Sequence, residues 1–300
     1  MTRQPIVIAH RGASGYRPEH TLAAYRLGIA LGADYVEPDL VSTKDGVLVA
    51  RHEADLTHTT DVAEHPEWVD RLTTKELDGV PVTGWFVEDF TVAELKTLRV
   101  VERLRELRPQ NCRYDGLYEV PTFDEVLGLV AAESERLGRP IGVYPETKHP
   151  AYFAALGLGL EEPLVDALSR HGYVGPDAPV FVQSFEPESL QRVRSRTALP
   201  LVQLVSATGR VDLVTSTGLR RVATWADAVG VDKALVRGSS VVDDAHAAGL
   251  LVHVWTLRGG VEEALTYLDA GVDGLFTDYP DTTIAARQAH TSGMRIHAAT

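Results

Sequence analysis

Residues 6–40, IVIAHRGASGYRPEHTLAAYRLGIALGADYVEPDL, contain one complete strand–helix–strand unit. Ile6 to Ala9 and Tyr35 to Leu40 are short runs rich in β-branched residues, which is typical of buried strands. Between them, apolar residues recur every three or four positions over residues 22–29, so one face of a helix is apolar. A helical crossover makes the two flanking strands parallel. This stretch therefore predicts the beginning of a parallel sheet.

The same alternation of strand and helix continues to the end of the chain. The further strand-like runs are Ile141 to Glu146, Val180 to Ser184, Leu201 to Val205, Ala228 to Val231, Leu251 to Trp255 and Gly274 to Thr277. Eight such units favour closure into a TIM-type (β/α)8 barrel, with a doubly wound open sheet as the alternative fold. Since such a barrel takes about 250 residues as one domain, we expect residues 1–300 to form a single α/β domain.

Several helix boundaries can be read from the residues at their ends. Thr122 and Glu125 have the spacing of a capping box, and Gly138 follows as a helix stop. Pro187 suits the first turn of the helix that follows the fourth strand.

A ninth strand, Val47 to His52, follows the second strand too closely for a parallel crossover. Only a few residues separate it from Leu40, so the two strands must form an antiparallel hairpin. A two-residue turn at Lys44-Asp45 or at Asp45-Gly46 would place His52 opposite Glu37 or Asp39. The hairpin therefore predicts an imidazole close to two carboxylates.

Residues 54–115 fit no barrel unit. They carry Trp68, Trp85 and Phe86 among many charged residues, followed by a helical pattern from Val92 to Leu107. We interpret this segment as a small, mostly helical insertion that covers the barrel mouth. The three aromatic residues are then candidates for contacts with the substrate, or alternatively for the insertion's own core.

Composition limits the classes of partner. The chain has 300 residues and a formal net charge of −13, which argues against a nucleic-acid or anionic-membrane surface. No apolar run approaches the length of about 18 residues that a membrane span requires, so we expect no stable membrane insertion. The single cysteine, Cys112, excludes an internal disulfide. We expect a cytoplasmic protein, or a secreted one if a leader has been removed, and the oligomeric state is left open.

Charged residues stand at strand ends, where barrel enzymes carry their active sites. Glu37 and Asp39 are two positions apart on one strand, so both side chains project to the same face. Burying two carboxylates is costly unless a positive charge compensates them. A divalent cation would do so with Glu146 as a third oxygen ligand, and three oxygen donors favour Ca²⁺ or Mg²⁺. The alternative is that these carboxylates pair with Arg11 and Lys148.

His10 and His52 are the candidates for acid–base catalysis, because imidazole titrates near neutral pH. Arg11 and Lys148 could hold phosphate oxygens, the arginine through its two-pronged guanidinium and the lysine as a point charge. Trp255 is a candidate floor for the substrate pocket, although a core aromatic residue is a comparable interpretation. His253 is expected to face a helix.

These motifs, taken together, resemble the glycerophosphodiester phosphodiesterase family, and specifically its branch with a longer insertion. The matching segments are Ala9–Gly12, Arg17–Thr21, Glu37–Asp39, Thr43–His52, Glu146–Lys148, Gln183–Phe185, Val254–Thr256 and Gly274–Asp278. Each is short, but their order and spacing over roughly residues 6–280 are specific.

The resemblance implies a TIM barrel, a divalent metal and a small glycerophosphodiester substrate that is cleaved to glycerol phosphate and an alcohol. It also implies that His10 and His52 are the general acid and base. Glu37, Asp39 and Glu146 would hold the metal, and Arg11 and Lys148 would contact phosphate. Glu19 would be a polar neighbour that orients Arg11 or the metal shell.

Two positions depart from the family pattern. The family usually has Asn where His20 stands and Asp where Glu53 stands, which affects substrate preference and pH optimum more than the class of reaction. Two alternatives stay open. One is a cyclising lyase acting on lysophospholipids or phosphoinositides with the same histidines. The other is a catalytically silent barrel that binds phosphodiesters.

Overall fold

The protein, described by a computed structural model over residues 4–292, is a parallel barrel surrounded by helices. The strands are β1 Ile6–His10, β2 Tyr35–Glu37, β3 Asp39–Ser42, β4 Leu48–Ala50, β5 Thr73–Leu77, β6 Val80–Gly84, β7 Gly142–Val143, β8 Glu146–Thr147, β9 Val182–Ser184, β10 Leu201–Val205, β11 Ala228–Asp232, β12 Leu251–Leu257 and β13 Gly274–Thr277. The α-helices are α1 Leu22–Ala30, α2 Val92–Leu95, α3 Phe123–Leu137, α4 Pro150–Ala155, α5 Glu161–Arg170, α6 Pro187–Arg194, α7 Ser216–Val222, α8 Val241–Ala247, α9 Val261–Asp269 and α10 Pro280–Thr291.

The strand pairings close a barrel of eight parallel staves, where a stave is one strand position in the barrel wall, filled by one strand or by two consecutive short strands. From β8, each strand pairs with the next along the chain through β9, β10, β11, β12 and β13, and β13 pairs with β1. The second stave is β2 followed by β3, and the third is β7 followed by β8. β1 pairs with β2, β2 with β7 and β3 with β8, so the ring is complete. The predicted (β/α)8 barrel is thus confirmed and the open sheet is wrong.

The second and third staves are each interrupted where a continuous strand was predicted. Pro38 separates β2 from β3, and Pro145 precedes β8. Proline has no N–H to donate to a ladder, so each ladder breaks at this point.

The helix boundaries largely follow the sequence signals. Thr122 caps α3 and forms a complete capping box with Glu125, and Gly138 ends the helix in a left-handed conformation with φ of 61°. Pro187 occupies the first turn of α6. The longest helix, α3, has 15 residues, and no helix in the described part of the chain is long and apolar enough to span a bilayer.

The predicted hairpin is present with a register that differs by one residue. β3 pairs with β4 in antiparallel fashion, with Leu40 opposite Ala50. The loop has three residues rather than two, since Thr43 N–H donates to the Val47 carbonyl at 3.0 Å and Gly46 adopts a φ of 78°. If this register is continued by two residues beyond Ala50, His52 lies across from Pro38. It is then between Glu37 and Asp39 and not directly opposite either of them.

The prediction that the insertion is mostly helical was wrong. Residues 73–84 form an antiparallel hairpin of β5 and β6, and the other regular pieces are short 3₁₀-helices and α2. The pattern from Val92 to Leu107 is helical only over α2. Beyond it the chain consists of turns and irregular backbone, and Val100 forms an isolated bridge with Thr60 while its N–H donates to the Tyr118 carbonyl at 2.8 Å. Tertiary pairing overrides the local helical preference here.

The aromatic residues of the insertion form its own core. Phe86 is fully buried, Trp85 is 8% exposed and donates its indole N–H to the Trp68 carbonyl at 2.7 Å. The ring of Trp68 packs edge-on against Phe90 at 5.4 Å. None of these residues lines the barrel cavity described below. The structure therefore supports their role in the insertion's own core and not in substrate contact.

The amino-terminal end of the barrel is closed by packed aromatic rings. Tyr144 stacks on Phe181 with 5.2 Å between the ring centroids. Its hydroxyl is hydrogen-bonded to His253 Nδ1 at 2.5 Å. His253 is therefore in the barrel interior, and the expectation that it faces a helix was wrong. These rings fill the barrel interior at this end, and the cavity described below lies at the carboxyl ends of the strands.

Candidate active site

A cavity of about 130 Å³ opens at the carboxyl ends of the strands. It is lined by His10, Arg11, Glu37, His52, Glu146, Lys148, Gln183, Phe185, Leu204, Trp255, Thr256, Arg258 and Phe276. The strand registers explain why distant residues meet here. His10 lies beside Glu37, Asp39 beside Glu146, and Glu146 beside Gln183.

Three buried carboxylates form a cluster at this end of the barrel. Glu37, Asp39 and Glu146 each offer an oxygen, and these oxygens lie within 4.8 Å of one another. The side chains come from strands β2, β3 and β8, whose positions are fixed by backbone hydrogen bonds. This arrangement depends on the barrel fold and not on a mobile loop.

The carboxylates repel one another and carry perturbed pKa values. Burial, reinforced by the charge of Asp39, raises the pKa of Glu37 well above its usual range. Burial also raises the pKa of Glu146 to about 8, where the charge of Asp39 adds to the effect and Lys148 opposes it. Asp39 behaves differently: burial raises its pKa, but Lys148, His20 and Arg11 together hold it well below the usual range.

The donor set fits a hard divalent cation. Asp39 Oδ1 is buried without a hydrogen-bond partner among the described residues, and it lies 4.0 Å from Lys148 Nζ. Leaving a buried carboxylate oxygen unpaired is costly, and a cation at this position would remove the cost. Three oxygen ligands at such spacing suit Ca²⁺ or Mg²⁺.

His10 ends β1 and is oriented by a carboxylate that the sequence analysis did not assign to the site. Its Nδ1 lies 2.7 Å from Asp278 Oδ1, and Asp278 also accepts a hydrogen bond from Ser14 at 3.0 Å. Burial, followed by the charge of Arg11, lowers the pKa of His10, while Asp278 opposes this shift. Asp278 directly follows the strand β13, and this position at a strand end was the signal that could have identified it.

His52 also lies against a carboxylate, that of Glu53, but its Nδ1 has no hydrogen-bond partner among the described residues. The His52 Nδ1 atom contacts the Glu53 carboxylate, whose other oxygen lies 3.3 Å from His149 Nε2. Burial, followed by the charges of Arg11 and Lys148, lowers the pKa of His52 to about 3. The glutamate that replaces the usual aspartate of the family thus still reaches the imidazole.

Arg11 and Lys148 both face the cavity and are both already paired. Arg11 Nη1 donates to Glu19 at 2.9 Å, and its Nε lies 3.3 Å from Asp39. Lys148 Nζ donates to Glu146 at 2.9 Å. Arg11 and Lys148 can therefore pair with carboxylates and also bind phosphate, because each side chain keeps further N–H groups for an incoming oxyanion.

The remaining predicted residues occupy different positions. Trp255 lines the cavity and packs edge-on against Phe185, with ring centroids 5.7 Å apart. Glu19 is 2% exposed and does not line the cavity, so it does not contact a molecule bound there; it lies behind Arg11, and its role in orienting Arg11 stays a prediction. Gln183, which was noted only as a strand end, donates to Glu37 at 3.1 Å.

His20, the second departure from the family pattern, lies behind Asp39. Its Nε2 is 2.9 Å from Asp39 Oδ2, and its Nδ1 is 2.7 Å from the Tyr25 hydroxyl. Burial lowers the pKa of His20 to about 4, against the opposing effect of Asp39. A neutral imidazole can donate to Asp39 the same kind of N–H hydrogen bond that an asparagine amide would donate.

The sequence profile of the glycerophosphoryl diester phosphodiesterase family matches residues 10–282, which contain every residue of this site. The chain belongs to this family. It is 35% identical over 283 residues to a glycerophosphodiester phosphodiesterase of Bacillus subtilis, covering 92% of this chain and 84% of that protein. A glycerophosphodiester phosphodiesterase of Arabidopsis thaliana is 33% identical, covering 93% of this chain and 84% of its own length.

Solved structures of family members show the same fold. A putative glycerophosphoryl diester phosphodiesterase from Silicibacter pomeroyi superposes with a TM-score of 0.77 at 25% identity, covering 99% of this chain and 97% of the other. A phosphodiesterase from Oleispira antarctica, solved with its product sn-glycerol 3-phosphate, gives a TM-score of 0.71 at 24% identity over 95% and 97% of the two chains. The protein is an enzyme of this family, a phosphoric diester hydrolase acting on glycerophosphodiesters.

Proposed function

We propose that the protein hydrolyses glycerophosphodiesters to sn-glycerol 3-phosphate and a free alcohol, using one divalent cation and two histidines. The observation that carries the proposal is the shared cavity, whose lining includes two members of the three-carboxylate cluster and two imidazoles. Each imidazole has a carboxylate oxygen close to its Nδ1. The Oleispira antarctica relative was solved with sn-glycerol 3-phosphate, which supports the choice of product.

The cation would be Ca²⁺ or Mg²⁺ held by Glu37, Asp39 and Glu146. When bound, it polarises the phosphoryl group and lowers the pKa of the attacking hydroxyl. The three ligands come from neighbouring staves of the barrel, and Gln183 and His20 fix two of them through hydrogen bonds at 3.1 Å and 2.9 Å.

Arg11 and Lys148 would bind the non-bridging phosphate oxygens. Both line the cavity, and both keep donors free after pairing with Glu19 and Glu146. Charged donors held in place before the reaction stabilise the negative charge that grows on phosphorus in the transition state. A divalent cation bound to Glu146 would weaken the attraction between Glu146 and Lys148, so Lys148 would be more available to bind the phosphate.

His10 and His52 would move the protons. Burial lowers the pKa of both imidazoles, so a neutral ring is available to accept a proton from the attacking hydroxyl. Asp278 and Glu53 then stabilise the imidazolium that forms, as a buried carboxylate does behind a catalytic histidine. The other histidine can act as the acid only as an imidazolium, a form that the negative charge of the bound phosphodiester favours, and it then donates its proton to the leaving alcohol. Attack by the glycerol 2-hydroxyl gives a cyclic phosphate first, and attack by water gives glycerol phosphate directly.

A substrate panel tests this proposal. Glycerophosphocholine, glycerophosphoethanolamine and a lysophospholipid are incubated with enzyme, and the phosphorus products are followed by ³¹P NMR. We expect glycerol 3-phosphate from the first two. A cyclic phosphate as the end product, formed preferentially from the lysophospholipid, would support the cyclising lyase instead. Binding of the diesters without turnover at any metal concentration would indicate the silent barrel.

Metal binding is expected to depend on pH. In the metal-free protein Glu146, whose pKa burial raises to about 8, still carries a proton at neutral pH. A cation must displace that proton and any proton on Glu37, whose pKa is raised too, so its apparent affinity should rise about tenfold per pH unit per proton displaced. Calorimetry at pH 7 in two buffers of different ionisation enthalpy measures the protons released. Binding heats at pH 7 that do not depend on the buffer would contradict the prediction.

A further inference from the structure

We propose that the insertion at residues 54–115 acts in catalysis from behind the site, by supplying Arg108 as a positioning residue for His10. The inference rests on the proposed role of His10 as an acid–base group. Among the described residues no member of the insertion lines the cavity, so this segment does not reach the substrate directly. Arg108 instead reaches the carboxylate that orients the imidazole.

Arg108 and Asp278 form a buried ion pair between segments 170 residues apart in sequence. Arg108 Nη2 donates to Asp278 Oδ2 at 2.5 Å, while Asp278 Oδ1 holds His10 Nδ1 at 2.7 Å. The aspartate is 1% exposed and the arginine 3% exposed. One carboxylate thus joins the insertion to the imidazole, with a different oxygen for each partner.

The position of Arg108 is fixed by the segment that follows it. Residues Pro109–Tyr114 form a 3₁₀-helix that is docked on the loop after β1. Asn111 donates to the Ser14 carbonyl at 3.0 Å and to Glu102 at 2.8 Å, and Gln110 donates to the Gly15 carbonyl at 3.3 Å. Because this loop also carries His10 at its start, the arginine and the histidine share one rigid frame.

Charge complementarity explains why a buried arginine is tolerated at this position. Its Nη1 lies 3.8 Å from Glu102 and 3.9 Å from Glu19, in addition to the bond with Asp278. A buried guanidinium surrounded by carboxylates recovers part of its desolvation cost. The hydrogen bond that positions the guanidinium is the one from Nη2 to Asp278, since Nη1 has no hydrogen-bond partner among the described residues.

A second arginine also reaches Asp278, but in a different environment. Arg258 Nε lies 3.1 Å from Asp278 Oδ2, with the arginine side chain 49% exposed at the cavity. Water can replace an exposed partner at little cost, whereas nothing replaces a buried one. We therefore assign the orienting role to Arg108 rather than to Arg258.

The consequence for His10 is geometric. A carboxylate held at both oxygens keeps the imidazole in one tautomer, with its Nδ1–H on Asp278 and Nε2 free for proton transfer. Without Arg108, the Asp278 carboxylate can turn away from His10 or take up a proton. The productive orientation of the ring is then populated only part of the time, and kcat falls.

A double-mutant cycle tests this inference. Arg108→Met should lower kcat by about 10–100-fold, the range known for the loss of partners that orient metal-binding histidines. KM should change little, because the residue does not line the cavity. In a His10→Ala background the same substitution should lower kcat less than about twofold, because the group through which it acts is gone. Arg105→Met is the matched control, since Arg105 is on the same segment, is 57% exposed and pairs with Asp115.

The possible outcomes separate the inference from the proposed function. Equal losses from Arg108→Met in the wild-type and His10→Ala backgrounds would overturn the positioning role. A His10→Ala enzyme with full kcat would overturn the role of His10 itself. If Arg108→Met does not fold, Arg108→Lys keeps the charge with a shorter reach, and its smaller loss should again vanish in the His10→Ala background; persistence there would overturn the inference. Calorimetric metal affinity should be unchanged in every Arg108 variant.

Discussion

Replacing His10 or His52 by alanine is expected to lower kcat by on the order of 10²–10⁴, the range typical of a lost general acid or base. The double variant should fall little below the worse single variant, because the two imidazoles act on the same proton transfers. Both residues line the cavity, and neither is within the carboxylate cluster. Metal affinity measured by calorimetry should therefore stay close to that of the wild type.

His290→Ala provides a control for these histidine substitutions. His290 lies on α10 outside the cavity, and its ion-pair partner among the described residues is Asp269, at 3.3 Å. Its removal should leave kcat and the melting temperature unchanged within error. Losses at His10 and His52 that multiply in the double variant would mean that the two residues support catalysis independently.

Chelation of divalent cations is expected to abolish turnover, and Ca²⁺ or Mg²⁺ should restore it. Glu37→Gln, Asp39→Asn and Glu146→Gln should each weaken cation binding by more than the roughly 10–100-fold typical of losing an outer partner of a ligand. Each substitution removes one charged oxygen from a set of three that lie within 4.8 Å of one another. Isothermal titration calorimetry on the purified variants measures the affinities without relying on activity.

The stability of the metal-free variants gives a second readout for the same cluster. Neutralising one carboxylate relieves repulsion between buried charges, so Glu37→Gln should melt at or above the temperature of the metal-free wild type. Glu162→Gln is the control, since this glutamate is 66% exposed and pairs with Arg196 on the surface. A triple variant that keeps full activity in chelator would exclude the metal from the reaction.

The expected role of the insertion changes once the structure is known. From sequence, its aromatic residues are candidates either for contacts with the substrate or for the insertion's own core. In the structure Trp85 and Phe86 are buried within the segment, while Arg108 and Arg103 reach the site from behind through Asp278 and Glu19. Deleting residues 55–114 would therefore remove two buried ion pairs and lower kcat for every alcohol alike.

The sequence by itself determined the barrel and most of its cavity. Alternating apolar strands and amphipathic helices indicate a parallel sheet, eight such units favour its closure into a barrel, and the strand ends of a parallel barrel must meet at one face. That is why His10, Glu37 and Glu146 could be brought together from their positions at strand ends alone. The spacing of Glu37 and Asp39 likewise fixed their common face, because side chains alternate along a strand.

Only the tertiary structure decided the partners behind the cavity. The pairing of Arg108 with Asp278 links segments 170 residues apart, and no periodic pattern encodes which of many surface-like arginines becomes buried. The same holds for the insertion, where a bridge between Val100 and Thr60 replaced a predicted helix. Local propensity is worth tenths of a kcal/mol per residue, so packing and burial of charge, worth several kcal/mol, override it wherever the two disagree.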